Sequence, residues 1–161
     1  MPRQVPPPAL ADTPDEVEAQ LYTALRQGDL ERLMGLWADD DEIVCVHPGG
    51  ERVIGAAAIR ASFESIFTNG GIPVQPEQVH RLLHLGFALH HLVERIEVPG
   101  LPGQPGQPGQ PHDSGPQTGW VLPSNVYVKT SAGWRLAAHH ASPGMPSEPP
   151  LHGSDAPTTL H

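Results

Sequence analysis

The residues of this 161-residue chain whose types and spacing could do chemistry are histidines and a carboxylate placed on or beside short apolar runs. His47 follows Ile43-Val44-Cys45-Val46 and precedes Pro48-Gly49-Gly50. An imidazole there can donate, accept or change charge near neutral pH, or simply hydrogen-bond the turn that it opens. Cys45 stands two positions before His47, so on a strand the two project from one face and a thiol lies beside a base. A buried structural cysteine in an apolar run is the commoner arrangement. Glu94, within Leu92-Val93-Glu94-Arg95-Ile96, can move a proton if it faces a closed cavity, where desolvation raises a carboxyl pKa. The alternative is an exposed ion pair with Arg95 or Arg81. His139 and His140 are strand neighbours and must face opposite sides of a sheet.

Other groups supply shape or orientation. Asn125 offers an amide that orients a ligand carbonyl or satisfies a strand end. Trp37 and Phe63 belong to helical apolar stripes, where large aromatics serve as core and cavity wall; their role is shape, not reaction. His80 with His84, and His90 and His91 with Glu94, are metal-ligand types, but their spacing matches no structural zinc pattern. The sequence contains no dinucleotide-binding glycine fingerprint, phosphate loop or ordered Ser-His-Asp set.

The elements that must position these groups follow from the pattern. Thr13-Pro14-Asp15-Glu16 is a capping box with proline at the first helical position, so a helix starts there. Val17, Leu21, Ala24 and Leu25 form its apolar stripe and Gly28 stops it. Asp29 caps a second helix with Leu30, Leu33, Met34 and Trp37 inward. The acidic run at 39–42 ends that helix, because negative charge disfavours its C-terminal end. A strand closes at His47-Pro48-Gly49-Gly50, and Ile59, Phe63, Ile66 and Phe67 mark a third helix. Residues 74–85, 87–98, 120–130 and 134–141 read as strands, the last two joined at Ser131-Ala132-Gly133. Helices gathered before an antiparallel sheet make the α+β class.

Length and composition suit one domain. With 9 Lys+Arg against 18 Asp+Glu the net charge is −9, which offers no footprint for nucleic acid or an anionic membrane. The first residues contain no apolar signal-peptide core and no run is long enough to span a bilayer. One cysteine cannot form an internal disulfide; together these predict a soluble, cytoplasmic protein. Residues 1–12 are expected to form a disordered arm and 13–143 the domain. A Pro/Gly-rich insert with three PGQ triplets falls at 99–119, and 144–161 form a disordered tail.

The stretches LYTALRQGDLERLMGLWADDDEIVCVHPGGERVIGAAAIRASFESIF and NVYVKTSAGWRLAAHHAS, with Glu94 and Ser124-Asn125-Val126 between them, resemble the SnoaL-like branch of the nuclear transport factor 2-like superfamily. The resemblance implies a cone of N-terminal helices packed on a curved antiparallel sheet, with a cavity on its concave face. It also implies cofactor-free acid/base chemistry (isomerisation, proton transfer or hydration) on a hydrophobic carbonyl-containing ligand, no metal, and a homodimer formed through the outer face of the sheet. By the family's terminal His-x-Ser pattern, His140 and Ser142 are the expected inward pair. The expected site is then His47, Glu94 and His140 as acid/base groups, with Trp37, Phe63, Asn125 and Ser142 around the ligand. A non-catalytic dimeric binding or scaffold module is the alternative, distinguished by an apolar cavity without an inward carboxylate.

Overall fold

A computed structural model of the chain describes residues 11–98, 115 and 117–145. Helix α1 (Pro14–Gln27) starts where the capping signal lies: the Thr13 side chain accepts from the Glu16 N–H at 3.2 Å. The return bond differs in detail, since the Glu16 carboxylate takes the N–H of Asp12 at 2.7 Å. Gly28, at φ 64°, ends the helix in the left-handed conformation. Asp29 then caps α2 (Leu30–Gly35) by accepting from the Arg32 N–H at 3.1 Å.

Strand β1 (Val44–Val46) turns at His47–Gly50 into β2 (Arg52–Ile54), and α3 (Ala56–Ile66) follows. The sheet is completed by β3 (Val74–Leu83), β4 (Phe87–Val98), β5 (Gln117–Thr130) and β6 (Gly133–Pro143). Among the described residues these six strands run in the order β2-β1-β6-β5-β4-β3. The expected helices-on-sheet cone is the observed architecture, with a mixed sheet: β1 lies parallel to β6 and all other pairings are antiparallel. Bulges in β3, where Gln78 takes φ 51°, and in β6 bend the sheet around the helices.

The core forms between α1, α2, α3 and the inner sheet face. Val17, Leu21, Leu25, Leu33, Ile59 and Phe63 meet Ala88, Leu92, Tyr127 and Leu136 there. Backbone bonds pin the helical layer to the sheet on both sides of Trp37: Ala38 N–H donates to Leu136 O at 2.8 Å, and Leu136 N–H to Leu36 O at 2.8 Å. After α3 the chain returns to α1, where Ile72 N–H donates to Leu25 O at 2.8 Å. Gly71 approaches the Arg26 carbonyl so closely that a Cβ would not fit.

Two expected boundaries move. Ala11 is buried and accepts from the Trp134 N–H at 3.0 Å, so the arm cannot extend to residue 12; its remainder, 1–10, lies outside the described residues. Gln117, Thr118 and Gly119 pair with Val98, Glu97 and Ile96, so the final part of the expected insert is strand, because backbone pairing needs no apolar side chains. Its residues 99–114 and 116 lie outside the described residues, as do 146–161 of the tail.

Candidate functional site

A cavity of about 70 Å³ opens between the helices and the inner face. Leu21 and Leu25 of α1, Trp37, Phe63 of α3, and Ile72 form much of its apolar wall. From the sheet side come Val74, Ile96 and Leu136 together with the polar groups Glu94 and His139; His47 and Pro48 line it as well. In this measure one water needs about 10–15 Å³, so a compact organic ligand is the scale of occupant.

Four of the expected residues therefore share one cavity: His47, Glu94, Trp37 and Phe63. Two do not. His140 and Ser142 are exposed, and the inward histidine is His139. The cause is the bulge in β6. Tyr127 pairs with Leu136 but Val126 with Ala138, so Ala137 is an extra residue and every side chain beyond it changes face. Strict alternation from Trp134 and Leu136 would have turned His140 and Ser142 inward. Asn125 is also displaced from the expected ligand contact: it is fully buried behind the cavity wall, its amide consumed by neighbours.

Those neighbours belong to a buried row across the inner face, His90-Asn125-His139-Cys45, each residue paired with the next across adjacent strands and flanked by the exposed Arg81 and the half-buried Val53. His139 Nδ1 donates to Asn125 Oδ1 at 2.5 Å, and Asn125 Nδ2 donates to the Tyr22 hydroxyl at 3.3 Å. Tyr22 in turn hydrogen-bonds Glu94. Four residues further back on α1, Glu18 Oε2 accepts from Tyr127 Oη at 2.7 Å and from His90 Nδ1 at 2.8 Å. Glu18 and Tyr22 are not among the expected site residues. Their signal was position: both adjoin the stripe of Val17, Leu21 and Leu25, where a carboxylate must find buried partners.

Electrostatics divide the polar groups by role. Burial pushes the Glu94 carboxyl up to about 7; the Tyr22 hydrogen bond works against that shift and the charge of Glu18 adds to it. Glu94 can thus exchange a proton near neutral pH. Burial pushes His139 down to about 4, with His47 and His140 contributing, so its imidazole is neutral with the proton on Nδ1 and a lone pair on Nε2. Burial also lowers His47. Ser62 Oγ donates to the Ile59 carbonyl at 2.8 Å and lies 3.0 Å from His47 Nε2, which places the His47 proton on Nε2. Burial and the nearby Glu94 push the Cys45 thiol up to about 12, so it is not the nucleophile that its spacing from His47 suggested. Among the described residues no three His, Cys, Asp or Glu side chains form a group able to hold a metal, and no helix is long and apolar enough to cross a membrane.

With this geometry in place, a sequence model of the SnoaL-like domain matches residues 15–91. A Thiobacillus denitrificans protein described as a candidate calcium/calmodulin-dependent protein kinase type II association domain is 28% identical. The match covers 84% of this chain and 98% of that one, with a TM-score of 0.68. A Streptomyces avermitilis protein described as a candidate dehydratase of the NTF2-like family is 29% identical, covering 83% of this chain and 100% of that one, with a TM-score of 0.66. An NTF2-like protein from Salmonella enterica, 16% identical over 86% of this chain and 93% of that one, shares the fold with a TM-score of 0.62. No curated protein sequence matches the chain. Residues 15–91 are thus similar to the SnoaL-like domain, and the chain shares the fold of the NTF2-like proteins, a likeness in keeping with small-ligand binding or isomerase-like activity.

Proposed function

We propose that the cavity binds a compact hydrophobic carbonyl compound and that Glu94 moves a proton on it without a cofactor. The observation that carries this reading is one buried carboxyl on an apolar cavity wall, held near 7, with the neutral His139 lining the same space. A scaffold has no need of such a pair, since burying a carboxyl against apolar walls costs stability.

In the reaction, ionised Glu94 takes a proton from a carbon next to the carbonyl, and the electron pair of that C–H bond moves into the carbonyl as an enolate. The protonated Glu94 then returns its proton to the same or a conjugated carbon. The first outcome is exchange and the second isomerisation. His139 Nε2 is a second acceptor for a substrate hydroxyl. Loss or addition of water uses the same two functions, an acid and a base, and the dehydratase description of the Streptomyces avermitilis relative agrees with that chemistry. The test is deuterium incorporation from D₂O into a panel of cyclic ketones, read by mass spectrometry. Exchange should rise as pH passes about 7 and vanish in Glu94→Gln. Equal exchange with both proteins would leave the cavity as a binding site only.

The same chain is also proposed to form a homodimer through the outer sheet face. Leu82, Leu89, Val126, Ala138, Val44 and Ile54 are paired in sequence across all six strands, and none is buried. A continuous apolar stripe of this kind is unfavourable in water. The association-domain description of the Thiobacillus denitrificans relative agrees with such a surface.

A further inference from the structure

The polar groups on the cavity wall have their protons committed elsewhere. His139 gives its Nδ1–H to Asn125 Oδ1 at 2.5 Å, and Asn125 is held in that orientation because its Nδ2 serves the Tyr22 hydroxyl at 3.3 Å. His47 gives its Nε2–H to Ser62 Oγ at 3.0 Å, since the Ser62 proton is spent on the Ile59 carbonyl. The Trp37 indole N–H is shut off from the cavity: among the described residues it is the one side-chain polar atom that is both enclosed and unpaired. Nε2 of His139 has no partner among the described residues either, yet it is not enclosed, so its lone pair opens on the space that His139 lines. The lining contains no Lys, Arg, Ser, Thr, Tyr, Asn or Gln. Once Glu94 is ionised, as a base must be, the wall therefore offers side-chain acceptors and no side-chain donor.

We propose that the cavity takes hydroxy carbonyl compounds, the hydroxyl donating to His139 Nε2 while Glu94 works on the carbon beside the carbonyl. The proposal rests on the reading of Glu94 as the base and adds the group that its substrate must carry. A ligand with acceptors alone, such as a simple ketone, leaves the Nε2 lone pair without a partner. A hydroxyl supplies one. An ammonium group could also donate, but the walls that hold His139 unprotonated down to about 4 impose the same penalty on any buried cation. The two working groups share one neighbourhood, because the charge of Glu94 reaches the Cys45 thiol and Cys45 is the strand partner of His139. Asn125 is then a positioning residue: by taking the Nδ1–H it leaves Nε2 as the accepting nitrogen.

The experiment titrates the full chain at pH 8 with 2-hydroxycyclohexanone, with 2-methoxycyclohexanone, which lacks the donor and is larger, and with cyclohexanone, which lacks it and is smaller. Histidine side-chain ¹⁵N spectra follow the tautomer and hydrogen bonding of His139. The hydroxy ketone should bind roughly 5–10-fold more tightly than either comparator, and it alone should shift the His139 Nε2 resonance. In His139→Leu the preference should vanish while cyclohexanone still binds; in Asn125→Leu the two tautomers should mix and the preference shrink. If the three bind equally and the His139 resonance stays in place, the inference falls while the Glu94 reading is untouched. If the preference holds but the native chain exchanges deuterium into none of the three, the Glu94 reading falls and the acceptor site stands. If none binds at millimolar concentration, both fall. Should either variant fold poorly, the affinity ratio and the resonance in the native chain still decide.

Discussion

Nδ1 of His139 lies 2.5 Å from Oδ1 of Asn125, and this contact decides which nitrogen of the histidine remains free. Asn125 can present its oxygen because its Nδ2 is held by the Tyr22 hydroxyl. Removing the imidazole should therefore leave a buried acceptor unpaired. His139→Ala is expected to cost about 1–3 kcal/mol, whereas the exposed His140→Ala should stay within about 0.5 kcal/mol. Urea denaturation of the two variants checks this, and equal losses would contradict the inward placement of His139.

Glu94 and His139 tilt the pH dependence of stability in opposite directions. Glu94 is held at about 7 against an ordinary 4.5, so between those values the folded chain keeps a proton that the unfolded chain has released. Stability falls as pH rises through that window, by at most about 3 kcal/mol. His139 is held at about 4 against an ordinary 6.5; there the unfolded chain takes up the proton first, and stability falls as pH drops from 6.5 towards 4. Glu94→Gln should thus gain on the native protein from pH 4.5 to 7 and expose the acid-side loss due to His139. Denaturation midpoints across pH test it, and parallel profiles would show that Glu94 is not held neutral by burial.

Tyr127 and Glu18 tie β5 to α1 across 109 positions of sequence with a bond of 2.7 Å. Tyr127→Phe keeps the ring, which packs edge-on against His90 at 4.9 Å, and removes only this bond. The expected loss is about 1.5–3 kcal/mol, the range for a buried bond to a charged group. In a double-mutant cycle with Glu18→Gln, additive losses would show that the bond carries no coupling.

Phe63 is 4% exposed and touches both the His47 ring, edge-on at 5.0 Å, and Phe67 at 5.8 Å. Phe63→Ala should cost about 3–5 kcal/mol and weaken ligand binding by opening the cavity wall. Phe63→Leu should retain most of the stability. Thermal unfolding and titration with cyclohexanone separate the two effects.

Sedimentation velocity across micromolar concentrations should give a dimer, and Val126→Glu, at the middle of the outer stripe, should give a folded monomer. A native protein that sediments as a monomer throughout would remove the proposed interface.

Much of the fold was legible because its signals are local. The Thr13 cap, the Gly28 stop, the Asp29 cap and the period of α3 concern residues within one or two turns of each other. Strand β2 was not anticipated: three residues with an exposed arginine at their head give too short a pattern. The buried polar row was equally hidden, because Glu18 reads as a solvated helix residue until β4 and β5 bring His90 and Tyr127 to it.

By itself the sequence determined the three helices and five of the six strands, since helical period and strand alternation need only neighbouring residues; it left Glu94 open between a cavity group and an exposed ion pair. Tertiary structure alone decided which of two adjacent histidines enters the cavity. Ala137 is small and unremarkable in sequence, and only its place opposite the Val126–Tyr127 step makes it a bulge. One extra residue on one strand reverses the facing of all that follow, so His139 turns in, His140 turns out, and Asn125 is left behind the wall to hold the histidine in place.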